Sequence, residues 1–256
     1  MTHQRDNKKL FMNELKSCAP YGDTMRIFSD WLNIAAITLR QGAYHGGQRA
    51  KDEEFDRYEH LYLEAVKPYS KEQLHRFAEM LAIAQWALDA WEGDFLGAIY
   101  MELQGTSTKK AVGQFFTPFH VSELMAHIQF VELAEQMRKQ GFVTMSEPAC
   151  GGGGMLIAAA KQCDAHQVDR RLAFFQAIDV SRHCFLMTYV QTSLLGMSGY
   201  VIHGDTLRAE QWESWPTPML QIVQQKAPGF FSWAETIMPI PEKNQSAPAP
   251  QQYVLF

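Results

Sequence analysis

The stretch Glu147-Pro148-Ala149-Cys150-Gly151-Gly152-Gly153-Gly154 carries the strongest chemical signal in the chain. It lies between an apolar run at Phe142–Met145, expected to be a strand, and a helix expected from Met155. A glycine-rich turn in that position lets a ligand come close to the backbone and leaves the first N–H groups of the helix free to bind it. Acids close the next two apolar runs. Asp179 follows Leu172–Ile178, at the kind of strand tip where nucleotide-binding α/β folds hold a ribose, because two acceptor oxygens match a vicinal diol. Its alternative is helix capping, since Ser181 and a helix follow. Asp205 ends the third run in His203-Gly204-Asp205-Thr206 and suits an adenine amino group, or else a plain Asp-Thr turn. This ordered set points to a nucleoside-bearing cofactor and leaves NAD and S-adenosylmethionine both open.

The elements that must position these residues are short strands alternating with helical segments at Val121–Gln140, Met155–Cys163 and Ser181–Leu195. That alternation predicts a parallel sheet with crossover helices, here assigned to residues 113–233. Residues 1–104 read as helical. Phe28, Trp31, Leu32, Ala35 and Leu39 recur near a 3.6-residue period, and so do Phe77, Met80, Leu81, Ala84, Leu88 and Trp91. Ser70-Lys71-Glu72-Gln73 has the form of a capping box that opens the second of these helices. Residues 105–112 are polar and look like a junction, and 234–256 form a proline-punctuated tail expected to be flexible.

Composition narrows the function classes. Hydrophobic residues make up 46% of the 256-residue chain and charged residues 20%, which fits a folded globular protein. No apolar run approaches the roughly 18 residues that a membrane-spanning helix needs. The polar N-terminus has no apolar core and does not read as a secretory signal. Residues 1–112 hold 14 Lys+Arg against 16 Asp+Glu, and residues 113–256 hold 9 against 12. Both halves are mildly acidic, which argues against a protein that grips phosphate backbones unaided. Cys18, Cys150, Cys163 and Cys184 form neither a CxxC pair nor a zinc spacing, so no metal site is expected, and reduced thiols in a cytoplasm are the plain reading.

Gly113-Gln114-Phe115-Phe116-Thr117-Pro118 lies just upstream of the glycine turn. Together with Glu147–Gly154 it resembles the paired motifs of the N6-adenine DNA methylases of the type I restriction-modification kind, nearly letter for letter. The resemblance covers roughly residues 94–215. It implies an α/β, Rossmann-like S-adenosylmethionine-dependent methyltransferase domain preceded by a helical N-terminal domain. It also implies adenine-N6 methylation of DNA in restriction-modification or DNA marking. By the same resemblance, Phe116, Thr117 and Pro118 flank the methionine end of S-adenosylmethionine, and Glu147, Ala149, Gly151 and Gly153 line its amino acid and ribose. Asp179 binds the ribose hydroxyls, and Asp205 with Leu207 brackets the adenine.

The chain departs from that family at the base-binding step. An Asn/Asp-Pro-Pro-Tyr/Phe element, whose polar groups hold the target amine while its ring stacks on a flipped base, is not found after Asp205. The nearest stretch is Trp212-Glu213-Ser214-Trp215-Pro216-Thr217-Pro218. There Trp212 or Trp215 are candidate stacking platforms and Glu213 a candidate acceptor, with core packing as the alternative for the tryptophans. About 50 residues follow Asp205, few for a target-recognition domain as well, so a specificity partner is expected. The competing function is a cofactor-binding protein of methyltransferase fold that acts through partners without transferring methyl.

The tail ends in Gln252-Tyr253-Val254-Leu255-Phe256, which resembles the peptides that bacterial DNA-metabolism proteins insert into the groove of the sliding clamp. Leu255 and Phe256 are expected to fill an apolar pocket while Gln252 makes polar contacts. The alternative is a C-terminal strand added to the sheet. A peptide of residues 247–256 is expected to bind the clamp and to lose binding on Phe256→Ala, as read by fluorescence anisotropy. An intact peptide that stays free at high micromolar clamp would remove this expectation.

Overall fold

The computed structural model describes residues 6–19, 21–105, 116–226 and 254–255. Six helices come first: α1 (Asn7–Ser17), α2 (Thr24–Arg40), a single turn α3 (Gly42–His45), α4 (Glu53–Val66), α5 (Lys71–Asp89) and α6 (Phe95–Leu103). Their starts are written in short polar side chains that accept the orphan N–H groups of a first turn. Asp6, Asp23, Asp52 and Asp94 each cap one of them. At α5 the capping box forms in both directions: Ser70 Oγ accepts from Gln73 N at 3.2 Å, and Ser70 N donates to Gln73 Oε1 at 3.0 Å.

The second half runs α7 (Phe119–Gln140), β1 (Val143–Glu147), α8 (Gly154–Ala165), β2 (Ala173–Asp179), α9 (Arg182–Leu194), β3 (Gly199–Asp205), β4 (Glu210–Pro216), α10 (Pro218–Lys226) and β5 (Val254–Leu255). The sheet order is β4-β3-β2-β1-β5. Strands β1, β2, β3 and β5 are parallel, and their register sets Glu147 beside Ala177 and Asp179 beside His203. The C-terminal tips of β1, β2 and β3 therefore open on one edge of the sheet, where open α/β sheets bind their ligands.

Helix α9 joins the two halves. Residues Cys184 to Thr192 are all buried, with α2, α5 and α6 packed against this helix as well as β2 and β3. Such a helix must be apolar nearly all round, and its three internal polar residues, Thr188, Gln191 and Thr192, all find hydrogen-bond partners. One hydrophobic cluster extends from Phe11, Trp31 and Phe95 through Phe185 and Tyr189 to Met145, Phe175 and Trp215. The separation expected at 105–112 is thus not visible as a break in the core, and residues 106–115 lie outside the described residues.

Two elements differ from the sequence-based expectation. Trp212–Pro218, read as a candidate base pocket, instead forms most of β4, which turns back antiparallel on β3 with Val201 paired to Trp215. Val254–Leu255, expected in a flexible tail, pairs with Met145–Ser146 of β1 as the added-strand alternative would have it. Gln252 and Phe256 lie outside the described residues.

Trp215 is a core residue and not a stacking platform. It is 1% exposed, and the rings of Tyr58, Phe185 and Tyr189 surround it at centroid distances of 5.5, 5.1 and 5.0 Å. The Arg40 guanidinium lies 5.0 Å from the indole centroid. Deleting so large a buried ring leaves a cavity, so Trp215→Ala is expected to cost about 3–5 kcal/mol of unfolding free energy. Trp212→Ala, at an exposed site, should cost less than about 0.5 kcal/mol. Denaturant titration of both variants reads the difference, and equal losses would contradict the burial of Trp215.

Candidate functional site

The site grows from the turn between β1 and α8. Cys150 N donates to Ile178 O at 2.9 Å and Gly153 N to Cys150 O at 2.8 Å, which folds the glycines back over the tip of β2. Gly151 and Gly153 have φ of +55° and +98°, a region that side chains disfavour. Gly152 is required for a different reason: a Cβ there would lie 2.2 Å from Asp94 Oδ2, closer than two such atoms approach. Gly153 is also the N-cap residue of α8, and no side chain caps that helix, so its first N–H groups stay available to a ligand.

Asp94 comes from the helical half of the chain. Its Oδ1 caps α6 by accepting from Gly97 N at 2.9 Å and also accepts from Gln191 Nε2 at 2.8 Å. Gln191 Nε2 donates as well to Gly152 O at 2.6 Å, and Gln191 Oε1 accepts from Leu96 N at 3.1 Å. Thr188, one turn earlier on α9, donates to Gly151 O at 3.0 Å. The result is a cleft of ≈ 280 Å³ under the glycine turn.

Phe116, Thr117, Glu147, Ala149 and Gly151, all expected at a binding site, meet in this cleft. Phe116 stacks on Tyr100 with ring centroids 6.0 Å apart and planes 17° off parallel, and its ring edge would lie 3.3 Å from a Cβ on Gly151. Pro118, Gly153, Asp179, Asp205 and Leu207 lie around the cleft without lining it. Pro118 is the N-cap residue of α7. Asp179 accepts from Gly151 N at 2.9 Å and from Ser181 N at 2.8 Å, while Ser181 itself caps α9. The Cys184 thiol also hydrogen-bonds the Asp179 carboxylate, so three of its roughly four acceptor positions are taken by the protein. Asp205 Oδ1 accepts from Leu207 N and Arg208 N at 2.9 and 3.2 Å, so this carboxylate organises its own turn. Leu207 is 98% exposed on that turn. Thr206 donates to Pro148 O at 2.6 Å and ties the same turn to the glycine loop.

Seven lining residues were not among the expected binding residues: Asp94, Ser122, Met125, Cys150, Gly152, Gly154 and Met155. Asp94 carried a detectable signal, an Asp placed just before the apolar run Phe95-Leu96. Gln191, which holds Asp94 from outside the cleft, was also missed although it is an amide in a fully buried stretch of helix. Ser122 Oγ is fully buried and has no hydrogen-bond partner among the described residues, although one face of the residue borders the cleft.

The electrostatics of the cleft are one-sided. Burial pushes the carboxyls of Asp94, Glu147 and Asp179 above their usual range, and the Asp179 charge raises Glu147 further. No Lys, Arg or His is among the described lining residues. The Cys150 thiol is pushed well up by burial, as befits an inert packing cysteine. Glu213, the candidate base acceptor, is held by the Arg182 guanidinium and by Trp215 Nε1 at 2.7 Å. Trp212 is 47% exposed at the β4 edge, its ring set edge-on to His203 at 4.9 Å.

Residues 92–252 match the model of the N-6 DNA methylase family. The chain belongs to that family. The matched segment begins two residues before Asp94 and takes in α6, so the cap of α6 and the glycine turn fall within one family unit. In this member of the family the acidic cleft opposes stability. Glu147 binds its proton more tightly folded than unfolded. Folding stability therefore falls as pH rises from the ordinary glutamate pKa of about 4.3 through the raised folded value. Glu147→Gln keeps the acceptor for Ala149 N, which now lies 3.1 Å from Oε1. It is expected to raise the thermal midpoint at pH 7.5, with the gain vanishing towards pH 4. A gain independent of pH, or a loss at pH 7.5, would show that the Glu147 charge is not opposing the fold.

Proposed function

We propose that the cleft binds S-adenosylmethionine and that the protein methylates N6 of adenine in DNA, in restriction-modification or DNA marking. The observation that carries this reading is the charge of the lining: Asp94 and Glu147 with no basic side chain among the described residues. A dinucleotide brings a pyrophosphate dianion, which needs donors and positive charge. S-adenosylmethionine brings an ammonium and a sulfonium, which a carboxylate-lined cleft favours. The cradle fits it in other respects. Backbone glycines leave room for close approach, and the uncapped N-terminus of α8 suits a carboxylate. The unpartnered Ser122 Oγ offers one further hydrogen bond.

When bound, S-adenosylmethionine supplies a methyl group on a positively charged sulfur. The chain's own residues bind and orient it. Phe116, Thr117 and Pro118 close the methionine end, with the Phe116 ring held by its stack on Tyr100. Glu147, Ala149, Gly151 and Gly153 line the amino acid and ribose. The acceptor capacity left on Asp179 receives the ribose hydroxyls, while its present bonds to Gly151 N, Ser181 N and the Cys184 thiol fix it in place. Asp205 and Leu207 border the adenine. On the base side, Trp212 keeps an exposed ring. DNA grip and sequence choice come from a specificity partner in the cytoplasm, in keeping with the acidic balance of the chain. The sliding clamp is a further partner through Gln252, Leu255 and Phe256, and engagement would release Leu255 from Ser146 of β1.

A second reading has its own observation. Trp215 is core and Glu213 is already paired, so of the three candidates in Trp212–Pro218 only Trp212 is left for a flipped base. That favours a cofactor-binding protein acting through partners without methyl transfer.

Calorimetric titration of the full chain separates the readings in two stages. Micromolar binding of S-adenosylmethionine, no binding of NAD, and a loss of about tenfold or more in Asp179→Ala support the cofactor site. Tritium transfer to unmethylated DNA then supports the enzyme. Binding without transfer, in the presence of a cognate specificity subunit, supports the second reading, and NAD binding in place of S-adenosylmethionine would overturn both.

A further inference from the structure

Asp94 is the one cleft carboxylate supplied by the helical half of the chain, and only one of its oxygens is used by the protein. Oδ1 takes both hydrogen bonds, from Gly97 N and Gln191 Nε2. Oδ2 accepts none from any described residue, and a Cβ on Gly152 would lie 2.2 Å from it. No Lys, Arg or His forms an ion pair with Asp94 among the described residues, although burial disfavours its charge. A half-buried carboxylate without a cation is costly, and the cost falls when a ligand brings the positive charge. The placement is rigid. Gln191 is fully buried and locked by three hydrogen bonds, so Asp94 cannot turn away to water without breaking the cap of α6 and the contact to the glycine turn. An independent sign of a ligand lies beside it. Ser122 Oγ is buried without a partner and would lie 3.6 Å from a Cβ on Gly154, the same distance as Asp94 Cβ.

We propose that Asp94 receives the α-ammonium group of the ligand through Oδ2. The inference rests on reading the cleft as the S-adenosylmethionine site. The neighbouring N-terminus of α8 offers backbone N–H groups for the α-carboxylate, so the two ends of the amino acid are read by opposite charges. Glu147, the other lining carboxylate, also keeps one oxygen free of described partners while the other accepts from Ala149 N, so variants at Asp94 decide between the two. Asp94 also sits at the start of α6. Ligand capture therefore bears directly on the junction between the helical half and the sheet.

The test removes the ammonium and the carboxylate separately. The full-length wild type is titrated with S-adenosylhomocysteine and with its desamino analogue, in which hydrogen replaces the α-amino group. The same two ligands are titrated into Asp94→Asn and Asp94→Ser, both of which keep an oxygen able to cap α6. A charge-assisted hydrogen bond of about 1.5–3 kcal/mol predicts that the wild type prefers S-adenosylhomocysteine by about tenfold or more. The variants should bind the two ligands alike, with the affinity for the desamino analogue near that of the wild type. A wild type that does not distinguish the ligands overturns the proposal. So does a variant that keeps the preference, or variants that weaken both ligands equally, since that pattern belongs to a structural role in the turn. If the wild type binds neither these ligands nor S-adenosylmethionine, the cofactor reading itself fails and takes the proposal with it.

Discussion

The amide of Gln191 holds this protein's two halves in one arrangement. Its oxygen accepts from Leu96 at the start of α6, and its nitrogen donates both to Asp94 and to the carbonyl of Gly152. Leu96, Gly152 and Gln191 are buried and Asp94 is half-buried, and an unmade hydrogen bond at a buried group costs about 1–3 kcal/mol. Every partner must therefore arrive together. The helical layer, the glycine turn and α9 are consequently placed relative to one another by polar geometry as well as by the apolar contacts that surround it. Hydrophobic burial brings α9 against α2, α5 and the sheet, but it tolerates small slides along the helix axis. The directed bonds of Gln191 and Thr188 do not, and they fix which atoms of the turn face the cleft.

That arrangement sets charge against stability. Three carboxyls, Asp94, Glu147 and Asp179, sit where burial raises each above its usual range. Such a site weakens the folded state at neutral pH unless a cation is present, and retaining it makes sense only where the cation belongs to the ligand. Ligand binding and folding are then coupled, because a ligand that binds only the folded chain adds to its stability by mass action. In the proposed reading the same carboxyls would disfavour an anionic dinucleotide, which links ligand choice to stability.

The edge of the sheet shows the competing demand of packing. β4 turns back on β3 and buries Trp215 against Tyr58, Phe185, Tyr189 and Arg40, which seals the far side of the core. Trp212, three residues earlier, stays exposed, and Glu213 between them is taken up by Arg182 and Trp215. Three residues that look alike as candidates on paper thus divide into a core ring, a pinned carboxylate and an exposed ring. Register does not divide them by itself, since Glu213 and Trp215, two residues apart, share a face; the Arg182 guanidinium holds the carboxylate while Tyr58, Phe185 and Tyr189 enclose the Trp215 ring.

Local chemistry made much of this legible in advance. The glycine turn, the strands ending at Glu147, Asp179 and Asp205, and the capping box at Ser70 all depend on residues within a few positions of one another. Glycine placement, β-rich runs and capping oxygens therefore announce them. The paired motifs at Gly113–Pro118 and Glu147–Gly154 pointed to the family for the same reason. Tertiary structure alone decided the rest. Asp94 and Gln191 are 97 positions apart, and nothing local in either segment says that they meet. Whether Trp215 is a platform or a core ring depends on a strand partner and on Tyr58, far away in the chain. Partners distant in sequence are chosen by the global packing of layers, in which burial and hydrogen-bond satisfaction must be met everywhere at once. That joint condition has no short-range imprint in the sequence.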